Sequence, residues 1–274
     1  MTEQAGGAPP AGVDLGRPSA ARVYDFFLGG AHNFEVDRQL AAQIAAMTPH
    51  LAETMRAGRA FLRRAVRTLL AEGIDQFLDI GSGIPTVGNV HEVAHAVAPA
   101  ATVLYVDIDP VAVAHSRSIL ADVPQAAVIQ ADLRDPDAIC EQAAASGLID
   151  FTRPVAILLA GVTHFIPDAD DPQNILRRLR SRAVPGSHLV ISHATFEDQP
   201  PEVLAAQRLS ARTDTEITLR SKAEITAMFG DFTILEPGIV HLPLWRPDAP
   251  ADVDERPERF GAFGGVARRD DAAG

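Results

Sequence analysis

Apolar and polar positions fall into two regimes along the chain. Up to residue 73 the spacing is helical: Pro18 opens a pattern carrying Val23, Phe26 and Phe27, and Gly29-Gly30 stop it as a C-terminal cap would. Asn33 to Ala46 and Leu51 to Ala71 predict two further helices, the second ending at Gly73. From Gln76 onward, short apolar runs alternate with helical stretches. Strands are expected at 77–80, 102–106, 127–130, Val155 to Leu159 and His188 to Ser192. Helices are expected between them at 87–97, 110–120, Asp137 to Ser146 and Pro172 to Ala183. Such alternation dictates right-handed βαβ units and a parallel sheet. Beyond it lie helices over Pro201 to Thr213 and Ser221 to Phe229, the latter opened by a Ser221/Glu224 capping box. Two late strands, Phe232 to Leu235 and Phe260 to Arg268, can join the sheet as a hairpin pair across the Pro-rich loop Pro243 to Pro257. The expected fold is therefore α/β, with a doubly wound, mostly parallel sheet of seven strands. The expected organisation is a disordered tail (1–17), an N-terminal helical cap (18–73) and a core (74–274), acting as one functional unit.

Bulk properties narrow what such a chain can do. At 274 residues, 47% hydrophobic and 22% charged, it can bury one full α/β core, and no internal repeat is visible. Apolar runs such as Val155 to Ala160 fall far short of the roughly 20 residues that cross a bilayer, so no membrane span is expected. Met1 to Gly16 is rich in Gly, Ala and Pro and lacks a basic start and an apolar stretch, which predicts a tail, not a signal peptide, and a cytoplasmic protein. The single cysteine, Cys140, excludes an intrachain disulfide and any cysteine-cluster metal site. With 24 basic against 36 acidic residues, the net charge of −12 opposes attraction to nucleic acid or anionic lipid. Two basic runs, Arg63-Arg64 with Arg67 and Arg177 to Arg182, follow helical spacing and read as solvated helix faces. Oligomeric state leaves no signal.

The candidate chemistry sits where strands end. Leu78-Asp79-Ile80-Gly81-Ser82-Gly83 is a buried strand breaking into a glycine turn, and about one helix later Tyr105-Val106-Asp107-Ile108-Asp109-Pro110 closes the next strand in two acids. In a doubly wound sheet, ligands lie at the carboxyl ends of the strands, where small residues let backbone N–H groups approach. An acid at the tip of the second strand can accept both ribose hydroxyls. A dinucleotide site would favour G-x-G-x-x-G, but Thr86 stands where the third glycine belongs, and Asp79 would repel a pyrophosphate. A cationic ligand such as S-adenosylmethionine gains from that carboxylate. Ala131-Asp132-Leu133-Arg134-Asp135-Pro136, after the third strand, adds an acid able to accept from the adenine amine.

These residues resemble class I S-adenosylmethionine-dependent methyltransferases, which are Rossmann-like. More narrowly, Arg22 to Arg38, Gly81 to Glu92, Val106 to His115 and Pro243-Leu244-Trp245-Arg246-Pro247 resemble an actinobacterial methyltransferase family long catalogued as a domain of unknown function, over nearly the whole chain from Pro18 to Arg268. The resemblance implies S-adenosyl-L-methionine as cofactor. It places Gly81, Ser82 and Gly83 against the methionyl part, Asp107 or Asp109 at the ribose, Asp132 with Leu133 at adenine, and Ala160 beneath the methionine, with Asp79 and Ile108 also among the cofactor-binding residues. It further implies that the N-terminal run folds over the site with Tyr24, Gly29, Gly30 and Asn33 nearest the cofactor. Asp107 is preferred for the sugar, since Asp109-Pro110 also fits a helix cap and first residue. Tyr24 and Asn33 equally fit a core tyrosine and a helix N-cap.

On the acceptor side, His164 in Ala160-Gly161-Val162-Thr163-His164-Phe165 is the candidate general base, its ordinary near-neutral pKa suiting the task, although a loop histidine bonded to backbone would look the same. That stretch lacks the Asn/Asp-Pro-Pro-aromatic motif of amino methyltransferases acting on nucleobases or glutamine. With the acidic charge, this favours O- or N-methylation of a small molecule, such as a secondary metabolite, over a nucleic acid. His32, His91, His193 and His241 lie on the helix after the glycine turn or near expected pocket edges, and no metal is expected. The alternative is a cofactor-binding sensor without turnover.

Overall fold

A computed structural model describes residues 16–48, 50–84, 88–199 and 217–271. The expected tail (1–15 of it), the helix over 201–213 and Thr86 fall outside the described residues. Three helices come first: α1 (Ala20–Phe27), α2 (Glu35–Met47) and α3 (Leu51–Ala71). The alternating core then runs β1 (Gln76–Ile80), α4 (Val90–His95), β2 (Thr102–Asp107), α5 (Pro110–Ile119), β3 (Ala126–Gln130), α6 (Pro136–Ala145), β4 (Ala156–Ala160), α7 (Pro172–Arg182) and β5 (His188–Ala194). After it come α8 (Lys222–Ala227), β6 (Thr233–Ile234), β7 (Val240–His241) and β8 (Ala262–Arg268).

The sheet has eight strands, not seven, in the order β3-β2-β1-β4-β5-β8-β6, with β7 also pairing with β8. The first five are mutually parallel, and β8 runs antiparallel to β5 from His188↔Arg268 to Ala194↔Ala262. The additional strand is two residues long, too short to show a period of two. β6 and β7 both pair antiparallel with β8 at different heights, so the late segment forms a split edge and not a simple hairpin. The Pro-rich loop is ordered into short 3₁₀ turns at Leu242–Leu244, Pro250–Asp252 and Pro257–Phe260.

Both faces of the sheet are covered, which explains why β1 reads as an unbroken buried run. Leu78, Ile80, Leu104, Ile157 and Ile191 pack against α6, α7 and α8 through Ile139, Leu176 and Ile225. Phe77, Val103, Leu158 and Val190 pack against α3 and α4 through Phe61, Leu62, Val66 and Ala94, with Trp245 sealing the far side. A separate small cluster of Val23, Phe27 and Ala41 joins α1 to α2. The sheet changes winding direction between β1 and β4, so the crevice lies beyond their carboxyl ends, at Gly81 and Ala160.

The two basic runs are not simply solvated. Arg64 is buried and donates to the carbonyls of Leu242 (2.7 Å) and Trp245 (2.9 Å), tying the late loop to α3. Arg180 is likewise buried and donates to the Met228 carbonyl. Helical spacing alone cannot separate a solvated arginine from one whose stem crosses a core and whose head meets carbonyls.

Candidate active site

The glycine turn is held from below by the second strand. Gly81 and Ser82 both donate to the Val106 carbonyl (2.8 and 3.1 Å), so β1 and β2 end together. Gly81 (φ 73°) and Gly83 (φ 67°) occupy the left-handed region that favours glycine. At Gly81 space is closed as well, for a Cβ there would lie 2.3 Å from Val162 Cγ2. The Ser82 hydroxyl is buried without a hydrogen-bond partner among the described residues.

The two acids after β2 take different parts. Asp107 accepts from the Gly83 N–H (2.7 Å) and from the Asp109 N–H (2.8 Å), so it is aimed across the mouth of the glycine turn. Burial pushes its carboxyl up to about 6, against the pull of those two N–H groups. Asp109 caps α5, accepting from Val111 N–H (2.7 Å), and also takes the Ser19 hydroxyl. The capping role of Asp109 agrees with the Asp109-Pro110 spacing. Between them Ile108 is 56% exposed, an apolar side chain presented to solvent beside two buried carboxylates. Asp79, one residue from the end of β1, is buried, and burial pushes its carboxyl up to about 7, with Arg59 opposing and Asp107 adding to the rise.

The N-terminal cap reaches the same place. Tyr24 donates to the Met55 carbonyl (3.2 Å), and its hydroxyl feels the charges of Arg59 and Asp79. Gly29 is the left-handed residue of a Schellman cap, in which Gly30 N–H meets the Asp25 carbonyl (2.9 Å) and Gly29 N–H that of Phe26 (3.0 Å). Asn33 is not the N-cap of α2. Its amide donates to Asp25 Oδ2 (2.9 Å) and the Gly30 carbonyl (3.0 Å), while Phe34 caps through Asp37. Asp25 thus organises the whole Gly29 to Asn33 loop, and a Cβ on Gly30 would strike its carboxylate at 2.0 Å. The loop lies on α5, with His32 against His115 at 4.2 Å between ring centres. Ser19 meets Asp109, and Arg22, buried and paired with Asp37 at 2.8 Å, approaches Asp109 at 4.0 Å, so α1 is fastened to the helix that Asp109 caps.

Farther along the crevice, Asp132 accepts from the Arg134 N–H (2.9 Å) and guanidinium (3.0 Å), and Leu133 is buried in the core. Ala160 ends β4. Past it, Gly161 (φ 76°) turns the chain into a 3₁₀ turn over Thr163–Phe165 that brings His164 within 5.7 Å of His193 at the end of β5. Arg220 can only donate, so its bond to His193 Nε2 (3.0 Å) leaves Nδ1 to donate to the Ala194 carbonyl (2.7 Å) and fixes a neutral ring. The same guanidinium holds the Ile166 carbonyl (2.9 Å) and Asp168 (2.6 Å). Burial, then His193 and Arg220, push His164 down to about 3, far from the near-neutral value expected of a free histidine. Its Nδ1 and the Thr163 hydroxyl are buried without hydrogen-bond partners among the described residues.

Sequence reasoning missed Asp25, Arg59 and Arg220. The signal for Arg59 was present: Arg59, Leu62, Val66 and Leu69 form one helical line, of which the last three are buried. The signal for Asp25 was an acid among the apolar positions of a short helix. Arg220 carries no sequence signal, because its partners, His193, Asp168 and the carbonyls of Thr163 and Ile166, lie far away in the chain.

An acid behind a glycine turn, an acid across its mouth, an exposed apolar residue beside it and an orphaned hydroxyl within it fit an adenosyl ligand with a cationic amino-acid end. The family model for S-adenosyl methyltransferases matches residues 7–270. A protein from Thermobifida fusca, proposed to be a methyltransferase, is 41% identical with a TM-score of 0.90, covering 96% of this chain and 99% of its own. A DUF574 family protein from Streptomyces avermitilis is 38% identical with a TM-score of 0.89, covering 93% and 99%. An O-methyltransferase family protein from Burkholderia thailandensis, at 12% identity and a TM-score of 0.51 over 90% of this chain and 64% of its own, shares the fold alone. No curated protein sequence matches. The chain belongs to the S-adenosyl methyltransferase family and is an S-adenosylmethionine-dependent methyltransferase.

Proposed function

We propose that the enzyme methylates an oxygen or nitrogen of a small-molecule acceptor, such as a secondary metabolite, held between the glycine turn and the Thr163–Phe165 turn. The observation that carries this reading is the neutral polar lining of the acceptor side. His164 Nδ1 and the Thr163 hydroxyl have no hydrogen-bond partner among the described residues, and His193 is held neutral by Arg220. With the net charge of −12, these groups suit a compact neutral or cationic acceptor better than a polyanion.

S-adenosylmethionine, when bound, supplies a methyl carbon activated by sulfonium. In this reading Asp107 accepts the ribose hydroxyls, Ile108 covers the adenine ring, and Asp132 with the Leu133 backbone meets its edge. Gly81, Ser82 and Gly83 border the methionyl part with Asp79, and Ala160 forms its floor. Tyr24, Gly29, Gly30 and Asn33 close the cap over it, excluding water. The main contribution of the chain is alignment, which can supply roughly 7–11 kcal/mol of a transfer barrier. His164 serves as a hydrogen-bond partner that orients the acceptor.

The test is a saturable heat of binding for S-adenosylmethionine and its demethylated product, followed by turnover on an acceptor panel spanning small phenols, amines and an oligonucleotide. Methylation of the oligonucleotide alone would overturn the acceptor class. Asp107→Ala should weaken cofactor binding by about 1.5–3 kcal/mol through loss of charged hydrogen bonds, read by titration calorimetry. Unchanged affinity would move the ribose to Asp109. Because burial holds His164 near 3, the kcat profile should show no His164 inflection between pH 6 and 8, and a profile that gains one only when His164 is present would restore it as a base.

A further inference from the structure

The residue that meets adenine in the proposed seat, Asp132, is itself held in place. The Ala131 N–H donates to the Asp107 carbonyl (3.1 Å) and the Gln130 amide to that of Ile108 (3.2 Å), so Asp132 leaves the sheet one residue past the edge that carries the ribose acid. Asp132 to Asp135 then form a tight turn, closed by the Asp135 N–H on the Asp132 carbonyl (2.9 Å). Within it both carboxylate oxygens of Asp132 are taken by Arg134: Oδ1 accepts its backbone N–H (2.9 Å) and Oδ2 its Nη1 (3.0 Å). The same guanidinium donates through Nε to Asp170 Oδ2 (2.9 Å), in the 3₁₀ turn Asp168–Asp170 that follows the acceptor-side turn. Arg134 therefore bridges the loop after β3 to the loop after β4.

An isolated exposed ion pair contributes little to stability, and these three side chains are all partly exposed. What the arrangement fixes is direction. A carboxylate free to turn in water divides its lone pairs between solvent and any ligand. One that accepts a turn N–H on one oxygen and a planar guanidinium on the other has a single orientation, and each oxygen keeps a further lone pair for a donor. One cation here serves two acids, so the edge left over is an anionic acceptor. Such an edge pairs with the amine of adenine and rejects hypoxanthine, which carries an oxygen at that position. We propose that Arg134 is a positioning residue for nucleobase recognition, orienting Asp132 so that the enzyme selects an adenosyl over an inosyl ligand. This rests on the cofactor placement argued above.

Calorimetry on the full chain with the demethylated product of the cofactor and with the deaminated form of that product, in which oxygen replaces the adenine amine, distinguishes this role from a structural tie between loops. The wild type should favour the adenosyl ligand by about 10- to 100-fold, as one hydrogen bond to a charged group warrants. Arg134→Met removes both guanidinium bonds and should lose most of that preference, chiefly through weaker binding of the adenosyl ligand. Arg134→Lys should keep part of it, since an ammonium lacks the planar fork that spans two acids. Arg178→Met, which removes another exposed arginine, paired with Asp137, controls for lost charge and should keep all of it. Equal loss for both ligands in Arg134→Met, an undiminished preference there, or the same fall in Arg178→Met would each overturn the assignment. Asp132→Ala separates the two ways of failing. If it loses the preference that Arg134→Met retains, Asp132 reads adenine without help from Arg134 and the cofactor placement stands. If Asp132→Ala keeps the preference, or the wild type has none, adenine does not lie at Asp132, and the role of Arg134 falls with that placement.

Discussion

Replacing Asp79 with asparagine is expected to stabilise the ligand-free protein at pH 8 by on the order of 2–4 kcal/mol, and at the same time to weaken S-adenosylmethionine binding. The first effect follows from burial, which dominates the opposing influences of Arg59 and Asp107 and raises the carboxyl to about 7 in the folded chain. An unfolded chain ionises the same group near its ordinary value of 3.8. Between those two points the folded state holds more protons than the unfolded state, so stability falls as pH rises, by about 1.4 kcal/mol per pH unit. Below about pH 3 both states are protonated and the penalty vanishes, whereas above about 7 it is complete. Asparagine removes the penalty at high pH and changes stability far less near pH 4.5. Denaturant unfolding of both proteins at pH 4.5 and 8 reads this directly, and destabilisation by Asp79→Asn at pH 8 would refute it. The second effect has the opposite sign, because a cationic ligand uses the charge that folding alone disfavours. Wild-type affinity should therefore rise from pH 5.5 to 8, as Asp107 near 6 and Asp79 near 7 become ionised. In Asp79→Asn the part of that rise near pH 7 should disappear.

This tension also explains which parts of the site could be read in the sequence. A buried strand that ends in an acid and two glycines is locally inconsistent, since neither residue type favours a sheet interior, and such inconsistencies gather where function overrides stability. Asp79, Gly81, Gly83, Asp107 and the βαβ core announce themselves in that way. The cap of α5 by Asp109 was legible from Asp-Pro alone, because capping involves only neighbouring residues. The partners of the arginines were not legible. Arg59, Arg64 and Arg220 meet groups dozens of residues or more away in the chain, and each sits in a stretch whose periodicity is equally that of a solvated face. Asn33 failed for a related reason: its spacing before α2 suited a cap, but Asp25 offered a buried acceptor that only tertiary structure brings near. The eighth strand failed because two residues carry no pattern, and only the long edge of β8 makes β7 a strand.

Gly81→Ala should be the most damaging small substitution in the glycine turn, lowering stability by about 2–5 kcal/mol, while Gly83→Ala should cost only about 1–2 kcal/mol. Both glycines have positive φ, so an L side chain at either meets the left-handed penalty. At Gly81 the space is also filled: the added methyl would lie 2.3 Å from Val162 Cγ2 and 2.5 Å from Val162 Cβ, whereas no atom of the described residues lies within 4 Å at Gly83. The Val162 Cβ is fixed to its backbone and cannot rotate away, so relief requires β1 and the turn after β4 to part. Those are the two edges of the crevice, and Gly81→Ala should therefore lose cofactor binding beyond what its stability loss explains. Combining Gly81→Ala with Val162→Gly, which removes both the Cγ2 and the Cβ that the new methyl would strike, separates the causes. The double variant should recover the steric share, about 1–3 kcal/mol of coupling, and retain the backbone share. Thermal unfolding of the four proteins, at roughly 2–4 °C per kcal/mol for a chain of this size, measures that coupling. Strictly additive losses would mean that β1 and the turn after β4 are not pressed together at Gly81, and that the narrow seat for the methionyl end is shaped by other residues.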